Sequence, residues 1–147
     1  MRARLMVPSL IACAVALAAA LPAFSDRPAG AVEDNELAKA MDGMKAAMRG
    51  LRRIVENPEQ KADALALVAQ LQQHMAAAKI LVPPNAAKLE GKAREEFLSG
   101  YRRAMIALLG KSLELELDIL DGRTADAAKR WKELIALRDK GHGTYNK

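Results

Sequence analysis

From Glu36 onward the apolar residues recur at intervals of three and four, and no stretch alternates apolar and polar residues as a half-buried strand does. Leu37, Met41, Met44, Met48, Leu51 and Val55 form one such stripe and predict a helix over about 36–56. Asn57-Pro58 ends it, because proline disfavours the helical conformation in the residue before it. Pro58 also suits the first turn of a second helix, which runs to about Ile80 on Leu65, Val68, Leu71 and Met75. Val82-Pro83-Pro84-Asn85 opens a polar loop that lasts to about Gly91. A third helix is expected from about Ala93 to Leu120. A fourth is expected from Thr124 to about Gly143, on Ala127, Trp131, Leu134 and Leu137.

Between the third and fourth helices stands Asp121-Gly122-Arg123-Thr124, a glycine stop followed by a threonine able to cap the next helix. Connections this short force neighbouring helices antiparallel. The expected fold class is all-α, an antiparallel up-down-up-down four-helix bundle over 36–147 with one longer loop between its second and third helices. Gly43 and Gly50 are expected to loosen the first helix, and Gly141-His142-Gly143 to fray the last.

The chain ahead of the bundle has a different character. A basic start, MRAR, precedes the apolar run LMVPSLIACAVALAAAL, and Ala23 and Ser25 follow with signal-peptidase spacing, so 1–25 reads as a cleaved secretory signal. Residues 26–35 read as a flexible mature N-terminus, and the mature protein as soluble in the periplasm, with no membrane association after cleavage. Arg2 and Arg4 are the only charges in 1–25, so their removal lowers the formal net charge from +5 to +3. Basic residues interleave with acids, as in KLEGKAREE, without the aromatic residues that stack on bases, so no nucleic acid is expected as a partner. The single cysteine, Cys13, leaves with the signal, which excludes disulfides, cysteine-ligated zinc and a thioether-attached haem.

In an up-down-up-down bundle the first helix begins at the end where the fourth finishes, so Met41 and His142 lie level, each a few residues from that end. Two readings follow. Met41 fills the core and His142 meets solvent, or a thioether and an imidazole face one another as the two axial donors of an electron-transfer haem. A copper(I) site drawing on Met44 and Met48 is disfavoured, since both recede from His142 along the helix. His74 reads as a surface residue and Trp131 as core. Glu114 and Glu116 point apart and make no carboxylate pair. No Glu-x-x-His, no nucleophile with its base and no phosphate-binding glycine loop is present, and the chain is not expected to be an enzyme.

MDGMKAAMRGLRRI (41–54), VPPNAAKLEGKAREEFLSGYRRAMIALLG (82–110) and LRDKGHGTYNK (137–147) together resemble the cytochrome b562 family of soluble, exported haem proteins. The resemblance runs from the first helix to the C-terminus, and its family is a standard example of the four-helix bundle. It implies one non-covalent haem b per chain, with Met41 and His142 as axial ligands and metal donors, and Phe97 and Tyr101 against the porphyrin. Arg138 matches an arginine near the haem edge, where a guanidinium also suits a propionate on charge grounds. It further implies a monomeric periplasmic electron carrier serving unidentified redox partners. The family carries larger residues than Gly141 and Gly143 beside the histidine. The other function class considered is a haem-free periplasmic bundle of the same fold, acting as a binding or stress protein.

Overall fold

The computed structural model describes the backbone of residues 31–146 and the side chains of residues 36–146. The expected signal lies outside the described residues. The described residues form four α-helices: α1 (Ala31–Ile54), α2 (Lys61–Ala78), α3 (Gly91–Leu120) and α4 (Thr124–Tyr145). Short 3-10 helices, Pro58–Gln60 and Pro84–Lys88, precede α2 and α3. There is no strand among the described residues, and none of their helices is long and apolar enough to cross a membrane. Backbones pack along their lengths between α1 and α2, α2 and α3, and α3 and α4, while α1 and α4 scarcely approach one another.

The stripes become the core. Leu37, Met44, Met48, Leu51 and Val55 of α1 are buried with Val68, Leu71 and Met75 of α2, Leu108 and Leu115 of α3, and Trp131 and Leu134 of α4. Each such side chain removed from water contributes about 1.5–3 kcal/mol, which is what makes helices of this length persist. Polar contacts fix which ends meet. Lys61 Nζ at the start of α2 donates to the Leu120 carbonyl at the end of α3 (2.7 Å). At the other end of α2, the Tyr101 hydroxyl donates to the Ala78 carbonyl (2.9 Å). Between them Gln72 Nε2 donates to Glu116 (2.8 Å), while Glu114 turns to Arg130 of α4 (2.8 Å), so the two glutamates do point apart.

Gly43 and Gly50 do not loosen α1; they admit its neighbour. A Cβ at Gly43 would collide with the His74 imidazole, and one at Gly50 would lie 2.7 Å from Leu67 Cδ1. Seven residues apart, the two glycines share a face of α1 and receive two side chains of α2. His74 is accordingly half-buried against α1 and is not the surface histidine its neighbouring glutamines suggest.

The ends differ from expectation in physical detail. α1 begins at Ala31, so helical backbone occupies part of the segment expected to be flexible. Asn57 caps the 3-10 turn by accepting from the Glu59 amide (3.0 Å), so Pro58 opens that turn and α2 proper starts at Lys61. Thr124 does not cap α4: the cap position is Arg123, which makes no side-chain cap bond. Gly122 does stop α3, at a φ of 70° that a side chain would resist. The presumed loop after Pro83 forms a 3-10 helix whose Ala86 is fully buried.

Candidate functional site

α4 does not fray at Gly141-His142-Gly143. The helix passes through the triplet to Tyr145, and the Asn146 amide donates to the His142 carbonyl (3.1 Å). Tyr145 explains why. Its ring meets Phe97 edge-on (centroids 5.3 Å apart) and Tyr101 likewise (5.7 Å), and its carbonyl accepts from Asn85 Nδ2 (3.1 Å). Aromatic pairs of this geometry contribute about 0.5–1.5 kcal/mol each beyond the area they bury. A Cβ at Gly100 would lie 2.7 Å from the Tyr145 hydroxyl oxygen, so that glycine too makes room for a neighbour's side chain.

Met41 is the member of the α1 stripe that is not buried; it lies half-exposed at the margin of the core. His142 is exposed. Arg138 is half-buried and pairs with its neighbour Asp139, Nη2 to Oδ1 at 2.6 Å. Phe97 is half-buried, whereas Tyr101 is 5% exposed, and burial pushes its phenol up to about 12. Phe97 and Tyr101, the two rings expected beside a porphyrin, both meet the Tyr145 ring edge-on. Arg138, His142 and Tyr145 follow at intervals of four and three, so the spacing Arg-x-x-x-His-x-x-Tyr already put the third aromatic ring on the face of the first two residues.

The donor chemistry suits an iron porphyrin. Met41 offers a soft thioether and His142 an imidazole that solvent already reaches, on two helices whose backbones scarcely approach one another. Arg138 would have to exchange Asp139 for a propionate. Met44 and Met48 are buried in the core, which leaves Met41 without the companions that copper(I) would need. Among the described residues, no group of three or more histidine, cysteine, aspartate and glutamate side chains is disposed to hold a metal ion.

A second polar assembly, unforeseen in the sequence, joins α3 to α4. Asp118, 4% exposed, accepts from Arg123 Nη2 (2.8 Å) and Arg130 Nε (3.3 Å). Burial works to raise its carboxyl, but the hydrogen bonds and charges of the two arginines outweigh it and hold the group below the usual carboxylate range. Arg130 also reaches Glu114 and Glu133, and Lys111 bridges those same two glutamates at 2.7 and 3.2 Å. Every partner is neutralised within the assembly, so it serves as a clamp between helices and offers no free acid or base. Comparison of the chain with family models, with curated proteins and with solved structures finds no match.

Proposed function

We propose that the chain is an antiparallel up-down-up-down four-helix bundle of the cytochrome b562 kind, exported to the periplasm, that binds haem b non-covalently and carries electrons. The observation that carries this reading is the break in the α1 stripe at Met41. The contacts of Gly43 with His74, Ala78 with Tyr101 and Tyr101 with Tyr145 allow its level to be followed from α1 through α2 and α3 to α4. That path ends within a turn of His142. This supports reading the half-exposed thioether and the exposed imidazole as a pair carried by α1 and α4, two helices whose backbones scarcely approach one another.

In this role Met41 favours ferrous iron and His142 supports both oxidation states, while the Phe97, Tyr101 and Tyr145 rings form the apolar wall at that end of the bundle. Arg138 compensates a propionate. Haem held by Met41 and His142 would supply a one-electron couple, which suits a carrier.

Titration of the purified chain with haem tests the reading. A stoichiometric complex that is low-spin in both oxidation states is expected, turning high-spin in Met41→Ala and failing to form in His142→Ala. A spectrum that ignores Met41→Ala would refute the ligand assignment. Failure of the unaltered chain to bind haem would leave the haem-free bundle as its function class.

A further inference from the structure

Gly43, Gly50 and Gly100 each sit where a side chain from another helix needs the space, but a Cβ at Gly110 would meet nothing within 4 Å. A glycine inside a helix costs about 1 kcal/mol relative to alanine, and nothing among the described residues uses the space this one leaves. It lies in an apolar stripe on the outer face of α3. Ile106, Leu113, Leu117 and Leu120 are 52%, 48%, 56% and 46% exposed and, with Gly110, keep the alternating three- and four-residue spacing of a helix-pairing seam.

We infer that α3 pairs antiparallel with α3 of a second copy of this chain, Leu113 of each copy seated on Gly110 of the other. That single contact sets the register. With residue 110 opposite residue 113, Ile106 faces Leu117, and Arg102 comes level with Asp121 of the second copy. Arg102 lies one turn before Ile106 on the same face, is exposed, and has no hydrogen bond or ion pair among the described residues. Asp121 is exposed and held by the equally accessible Arg123. A two-fold axis makes each of these contacts twice. An unpaired basic residue at one end of the seam thus meets an exposed carboxylate at the other only when the second α3 is reversed. Neither Met41 nor His142 lies on α3, so the pair forms whether or not the chain binds haem.

Sedimentation velocity of the purified chain over a wide concentration range tests this. The unaltered chain should pass from monomer to dimer. Gly110→Leu should remain monomeric at every concentration while melting no lower than the unaltered chain, because it fills the seat and its added Cβ meets nothing within 4 Å inside the subunit. Arg102→Asp should raise the dissociation constant about tenfold, since two exposed ion pairs are lost per dimer. Combining it with Asp121→Arg should restore the original value. A chain that is monomeric throughout, a dimer indifferent to Gly110→Leu, or a charge swap that fails to rescue would each overturn the pairing. So would a monomer that sediments with phosphatidylglycerol vesicles, which would assign the seam to lipid.

Discussion

The two halves of α4 are held by different means. In the first, Ala127, Trp131 and Leu134 are buried and Arg130 is bonded into α3; from Leu137 to Asn146 no residue is buried. The first half needs only its own chain to account for it. The second is secured by the Tyr145 ring and carbonyl and by Leu137, half-buried against the core, and otherwise presents Arg138, His142 and two glycines whose missing Cβ atoms meet nothing. That end of α4 therefore keeps more of its surface in solvent than the half before it.

The contrast can be broken most forcefully at Leu134, which is fully buried. Leu134→Ala should cost about 2–5 kcal/mol in urea unfolding, the range for an emptied leucine site. A loss as small as that from Leu137→Ala would erase the distinction between the halves.

Asp118 comes next. Its folded carboxyl is held below its ordinary value, so the ionised form stabilises the fold above about pH 4, and that contribution is lost as pH falls through the lower folded value. Asp118→Asn should cost roughly 1–3 kcal/mol at neutral pH, by leaving buried hydrogen-bond partners unmade, and should flatten the acid limb of stability against pH. An unchanged acid limb would mean that other carboxylates set it.

Tyr145→Ala should cost about 1–3 kcal/mol through the two lost ring pairs. Its larger signature is local: amide-exchange protection should collapse over 139–146 and persist over 127–135. If both segments lose protection together, α4 is one cooperative unit and the comparison fails. Smallest is Gly141→Ala, which should stabilise by up to about 1 kcal/mol, since the position is helical and the added carbon meets nothing. Gly43→Ala is chemically the same change and should destabilise, because His74 occupies the space.

That last pair marks how far the sequence could be read. The period of the α1 stripe, the proline breaks and Gly122 carry local information, and the helices fall close to where those signals put them. Gly43 and Gly141 have the same propensity, however, and only the side chain brought in from another helix separates them. Asp118, Arg123 and Arg130 likewise read as scattered surface charges until α3 and α4 are side by side. Pro83-Pro84 reads correctly as the end of a helix, but nothing in it announces that the next turns are 3-10 with Ala86 sealed beneath them. At the candidate site, the residue types at 41 and 142 and the spacing from Arg138 to Tyr145 were legible. The closing of three rings on one another was not, because it depends on α3.

Extensive packing joins each helix only to the next along the chain, from α1 through α2 and α3 to α4. Most native contacts are therefore close in sequence, and little loop-closure entropy has to be spent before packing begins to reward it. Helical chains of such low contact order reach the native state in microseconds to milliseconds, so this one should refold in a single fast phase. The Asn85 bond to the Tyr145 carbonyl, which spans 60 residues, should be among the last contacts to form.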